Sequence, residues 1–130
     1  MITWEELRTE VIDLGFEEDE VVNEDNYGRI IINATNRALR YIYSSFVPMY
    51  EERLSDVPDR EVITIDTEGD TEVTIPEEFE AVLPLLAAHY VWLDDDIQKA
   101  TIYWNEADMM LQQIGAALNK PKECRYTGGW

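Results

Sequence analysis

One cysteine, Cys124, and one histidine, His89, occur among the 130 residues. A lone thiol excludes an internal disulfide and any metal site built on several thiolates, and it fits a reducing compartment. No apolar run approaches the roughly 20 residues that cross a bilayer, so no membrane partner is expected. No basic start followed by an apolar stretch and small residues opens the chain, which gives the expectation of a cytosolic origin. Bases are scarce as well. Ten Lys and Arg face 28 Asp and Glu, for a formal charge of −18. A surface of that sign repels phosphates at long range and argues against a protein that reads DNA by neutralising its backbone.

What is present is apolar enough to fold. With 45% hydrophobic and 11% aromatic residues, the chain can bury one core of ordinary size beneath an acidic skin. Charge is unevenly placed. Residues 1–26 carry ten acids against Arg8, and residues 61–80 carry eight acids and no base. Residues 118–130 reverse the sign with Lys120, Lys122 and Arg125 against Glu123. No internal repeat, low-complexity tract or second domain is visible, so the reading is a single domain over residues 1–118 and an extended tail over 119–130.

Thr3-Trp4-Glu5-Glu6 matches a capping box and predicts a first helix whose stripe is Trp4, Leu7, Val11 and Leu14, ended by Gly15 as a left-handed stop. Acid-rich residues 17–25 read as a loop. Tyr27, Ile31, Ala34, Ala38, Tyr41 and Ile42 mark a second helix reaching about Phe46, stopped by Pro48. The stretch to Asp59 then reads as a connector. Val62–Asp66 and Glu72–Ile75 alternate, with Ile63 and Ile65 on one face, joined by Val73 and Ile75. Gly69 lies between them where positive φ is useful, which predicts a β-hairpin over about 61–75. Pro76 opens a third helix with Glu77, Glu78 and Glu80 near its positive end, and Pro84 within it predicts a kink. A fourth helix over about Asp96–Leu118 follows closely enough to pair antiparallel with the third.

Three residue groups invite chemistry. Asp94, Asp95 and Asp96 could bind a hard cation, but consecutive helical residues point about 100° apart and cannot converge, and no EF-hand pattern follows. A helix cap at a solvated corner is the preferred reading. His89 lies in the most apolar helix without a readable nucleophile partner, so it reads as a core or subunit-contact histidine. Of Met109 and Met110, one joins the core and the other faces outward. No phosphate-cradling glycine loop and no nucleophile–base pair is present. Neither catalysis, a catalytic residue, a metal nor a cofactor is expected. The terminal Tyr-Thr-Gly-Gly-Trp leaves two readings open, a frayed end or an anchor that docks Tyr126 and Trp130 on another subunit or partner.

The segment "IPEEFEAVLPLLAAHYVWLDDDIQKATIYWNEA" resembles the small head-tail connector (adaptor) proteins of tailed bacteriophages, in which a proline and acids open an apolar helix that turns through an acidic corner into a second helix. Pro76, Ala81, Leu85, Ala88, Tyr90 and the Asp94–Asp96 corner carry the likeness, supported by "INATNRALRYI" and spanning about residues 3–118. The resemblance implies a mainly α fold, a four-helix connector-type bundle with the hairpin inserted between helices 2 and 3. It also implies a virion protein of the neck, assembled in the bacterial cytoplasm, whose copies form a ring, typically a dodecamer. Such a ring binds the portal on one side and a stopper or tail-completion protein on the other, performs no reaction, and lets DNA pass without specific binding. The resemblance assigns the tail, with Lys120, Lys122, Arg125, Tyr126 and Trp130, to the portal. Arg29, Arg37, Arg40, Arg53 and Arg60 are available as cross-subunit partners for acids. Unusual acidity and the central Pro84 depart from the family pattern. A rival from another class is an acidic DNA mimic that occupies the groove of a host DNA-binding enzyme, and a small hydrolase using the acids is the third reading.

Overall fold

A computed structural model describes residues 1–15 and 28–119. Among them are five α-helices: α1 (Trp4–Gly15), α2 (Arg29–Ser45), the single turn α3 (Val47–Tyr50), α4 (Leu83–Trp92) and α5 (Ile97–Asn119). The mainly helical class is therefore correct. Helix α4 has apolar residues all round, and Leu83, Pro84, Leu86, Ala87 and Ala88 are buried. A helix without a polar face must be covered on several sides, and α1, α2 and α5 all pack against α4 while touching one another little.

Each covering helix contributes the stripe that its sequence encodes. Trp4, Leu7 and Val11 of α1 are buried, and α2 buries Ile31, Ala34, Ala38, Leu39 and Ile42. Helix α5 approaches through small residues, Ala100, Ala107 and Gly115, with Leu111. At Gly115 an added Cβ would stand 2.6 Å from the Tyr50 hydroxyl, so the missing side chain is what admits the Tyr50 ring. Met110 packs on the core while Met109 is 63% exposed. Rings of Tyr41, Phe46 and Trp104 meet at 5.4–5.5 Å and join α2 to α5.

Helix starts follow local chemistry, with two departures. The Glu6 N–H donates to Thr3 Oγ1 at 3.2 Å, which caps α1 as the sequence predicts. The return bond differs, because the Glu6 carboxylate accepts from the Thr3 hydroxyl rather than from its amide. Pro76 opens only a 3₁₀ turn, Glu77–Phe79, and α4 begins at Leu83 with Pro84 in its first turn. The expected kink is absent because only 3₁₀-type turns precede the proline ring, so it interrupts no α-helical hydrogen bond. Pro48 likewise sits in the first turn of α3, so the connector is partly helical and continues as a 3₁₀ turn at Glu51–Arg53. No glycine among the described residues has positive φ, so Gly15 ends α1 without the left-handed turn that its position suggests.

The β-hairpin is not formed. Its second arm pairs with the N-terminus instead: Trp4 N–H donates to Thr71 O (2.8 Å), Glu5 N–H to Gly69 O (2.9 Å) and Val73 N–H to Ile2 O (2.9 Å), leaving one isolated antiparallel bridge, Thr3 with Glu72. Gly69 eases the close approach there, since a Cβ would lie 3.3 Å from Glu5 Cβ and push it aside by a few tenths of an ångström. The first arm is held by a side chain. Asn36 accepts from Ile63 N–H (2.9 Å) and donates to Ile63 O (2.8 Å), taking both groups that a partner strand would use. Ile63, Val73 and Ile75 enter the core, whereas Ile65 turns outward at 67% exposure, because the turn bonds Thr64 N–H to Thr67 Oγ1 and Thr67 N–H to Thr64 O break the alternation.

Tyr43 completes the clamp, its hydroxyl donating to Pro58 O (2.8 Å) with Thr74 O 3.2 Å away. Burial, ahead of the nearby Asp59 carboxylate, pushes this phenol from 10.0 up to about 12. Folding therefore favours neutral Tyr43. Its contribution is complete below the unfolded value near 10 and is lost as pH rises through the folded value near 12. Urea unfolding across that window should show a steep alkaline loss of stability that Tyr43→Phe reduces; an unchanged slope would refute the linkage. Asn36→Ala should cost about 1–3 kcal/mol at neutral pH in the same assay, because it strands both backbone groups of Ile63.

Candidate functional site

The acidic corner is built by the end of α4 and the start of α5. The amides of Asp95 and Asp96 both donate to Trp92 O, at 3.1 and 2.8 Å, which folds the chain back on itself. Asp96 Oδ1 accepts from the N–H groups of Gln98 (3.1 Å) and Lys99 (3.2 Å), an N-cap on α5. Asp94 and Asp95 point to solvent. Lys99 lays its ammonium over the Trp92 ring, 4.2 Å from the centroid, on the other side of the turn. No group of three or more acid, histidine or cysteine side chains among the described residues is disposed to hold a metal ion.

His89 is half-buried between α4 and α5. Its Nδ1 lies 2.7 Å from Ala100 O, and its ring meets Trp104 at 5.1 Å. The geometry is that of a helix-to-helix tie, with the Nδ1–H tautomer donating to the carbonyl. Tyr103 makes a second tie. Its hydroxyl donates to Leu14 O at 2.6 Å, occupying a carbonyl left open at the C-terminal end of α1.

The arginines separate into distinct roles. Arg53 Nη1 donates to Leu118 O (2.8 Å) and closes the end of α5, a task within its own chain. Arg29 begins α2 on the exposed surface. Arg37, Arg40 and Arg60 come together. Ile30, Asn33, Arg37 and Arg40 recur at helical spacing on the outward face of α2, and Arg60 enters from the extended segment beside them. With Tyr90, Asp94 and Asp95 they line an open groove of about 590 Å³. The Arg37 guanidinium rests over the Tyr90 ring, 4.5 Å from its centroid. Burial raises the Tyr90 hydroxyl above its usual range, with Arg37 pulling the other way. The groove is thus a cationic recess in an acidic chain, bounded by two carboxylates. It has the donors to hold anionic groups and no nucleophile or base poised for reaction.

Lys120, Lys122, Arg125, Tyr126 and Trp130 lie outside the described residues, as does the acid-rich loop at 17–25. Sequence reasoning named Arg37, Arg40 and Arg60 without grouping them. The spacing of Arg37 and Arg40 gave half of that signal, but nothing in the sequence brings Arg60 and Tyr90 to them. Arg53 as a helix cap was missed altogether. In comparisons with known proteins, no family model, no curated protein and no solved structure matches this chain.

The assignment of Asp96 as a cap separates three neighbouring aspartates by experiment. Asp96→Ala should lower stability by about 1 kcal/mol in urea unfolding, while Asp94→Ala and Asp95→Ala stay within about 0.5 kcal/mol. Millimolar calcium or magnesium should leave the melting temperature of the wild-type chain unchanged. A cation-dependent rise abolished by Asp95→Ala would overturn the assignment.

Proposed function

We propose that the chain is a head-tail adaptor of a tailed bacteriophage, a structural virion protein whose copies form a ring, a dodecamer as in the proteins it resembles, beneath the portal. The single observation that carries this reading is the placement of charge. Carboxylates crowd exposed surfaces, above all along α1, where Glu5, Glu6, Glu10 and Asp13 all face outward. A channel wall of that sign lets DNA slide past without holding its phosphates. The likeness of residues 75–107 to connector proteins supports the same reading, as does a helical body whose polar side chains are spent on helix ties and caps.

In this proposal the portal is bound through the tail, by Lys120, Lys122, Arg125, Tyr126 and Trp130. A stopper or tail-completion protein binds the opposite side. Exposed arginines of α2 and of the extended segment offset repulsion between acidic neighbours. No reaction is performed, and no cofactor is required.

Mixing the purified chain with portal protein from the same phage should give a symmetric annular complex by negative-stain electron microscopy. The chain alone should not retain duplex DNA in a gel at low salt. Failure to bind portal together with tight binding to a host nuclease would replace this reading with that of a DNA mimic.

A further inference from the structure

In a chain with ten bases and 28 acids, a base with no carboxylate bonded to it is the unexpected outcome. Three such bases share the groove. Among the described residues, Arg37, Arg40 and Arg60 make no hydrogen bond or ion pair, although Asp94 and Asp95 line the same recess. Arg37 is nevertheless held in place by the Tyr90 ring. A guanidinium fixed by stacking keeps its N–H edge free for a carboxylate and loses little freedom when one arrives. Ile30, 42% exposed, and Val62, 60% exposed, flank the groove. Arginine and tyrosine beside exposed aliphatic groups are the make-up of a protein contact rather than of a small-molecule pocket.

The complementary surface is present on the same chain. Asp66, Glu68, Asp70 and Glu72 are exposed along the turn that the N-terminus pins through Trp4, Glu5 and Val73, and Glu5 and Glu6 stand beside it. The backbone bonds hold this edge in shape before any partner arrives. Ile65, 67% exposed, adjoins its first carboxylate and offers an apolar group to match Ile30 and Val62.

We propose that the groove of Arg37, Arg40 and Arg60 seats the acidic edge, Asp66 to Glu72, of a second copy of this chain. Groove and edge are different surfaces, so the contact is heterologous, and every seated copy leaves its own groove or edge available to the next. The inference deepens the adaptor reading by naming the contact between neighbours, and it rests on that reading for its ring.

The test reverses each surface in turn in the full-length chain. Arg40→Glu with Arg60→Glu alters the groove, and Asp66→Arg with Asp70→Arg alters the edge. All four positions are exposed, and circular dichroism melts check that the variants fold. Self-association is read by sedimentation velocity at low and at 1 M salt, for the free chain and for the annular complex on portal. Each reversal alone should weaken association about tenfold or more, high salt should weaken the wild type, and an equimolar mixture of the two reversed chains should recover mixed pairs. The inference is overturned if wild type associates in neither setting, or if reversed chains associate as wild type does. Sensitivity to the groove reversal alone, without rescue by the mixture, also overturns it, since the occupant would then be another acidic protein. Annular complexes that ignore both reversals would dismiss the groove and keep the adaptor reading. A rescued groove-to-edge pair without portal binding would do the opposite.

Discussion

Enclosure of α4 is the constraint from which the remaining architecture follows. Leu83, Leu86, Ala87 and Ala88 are fully buried on different sides of a helix only ten residues long. At about 1.5–3 kcal/mol for each large apolar side chain removed from water, Leu83, Leu86 and the adjoining Phe79 and Val82 supply a large share of the stability, matched by Leu7, Ile31, Leu39 and Ile42 of the covering helices. Covering α4 takes three helices, and each spends its apolar stripe inward. Most acids and bases among the described residues are thereby confined to outer faces. The acidic skin and the cationic groove are two results of the same burial.

Enclosure leaves a second demand, because residues 54–76 must cross the bundle without a sheet to satisfy their backbone. Side chains from α2 meet it. Asn36 takes both polar groups of Ile63, and Tyr43 serves Pro58 and lies near Thr74. Helix ends are treated alike, with Tyr103 on Leu14 and Arg53 on Leu118. Each of these bonds spans a long stretch of sequence and joins elements that apolar contact alone would leave free to slide. The extended segment is thus held where it lines the groove with Arg60 and Val62 and where it presents the acidic turn.

Local signals were legible where the structure is local. The Thr3 cap, the stripes of α1 and α2 and the Asp96 cap each depend on residues within a turn or two of one another, and spacing reveals them. The hairpin failed because alternation in residues 61–75 says nothing of which backbone supplies the partner, and at Ile65 it misjudged burial as well. Ile63, Val73 and Ile75 were rightly inward, yet Asn36 and the N-terminus outcompeted a strand. Pro84 misled for a related reason. A proline after acids and apolar residues reads as an interruption, while the chain places it in the first turn of α4, after 3₁₀-type turns alone. The groove needed Arg60 beside α2 and Tyr90 beneath Arg37, and only the packed bundle makes those neighbours.

Assembly of an acidic chain poses a problem that the placement of its bases addresses. Copies carrying −18 each repel, but in physiological salt that repulsion is largely screened beyond a Debye length of roughly 8 Å, and contact is decided at short range. There the sum of charges matters less than the pattern. Three arginines gathered in one recess give a local field opposite to the rest of the surface, whereas the same three scattered singly among acids would be neutralised within their own chain. Four carboxylates along one pinned turn provide the reverse pattern. On the proposed reading, neighbours can meet at this pair of surfaces while every other approach remains repulsive. The acidity that keeps DNA from adhering then also selects the orientation in which subunits join.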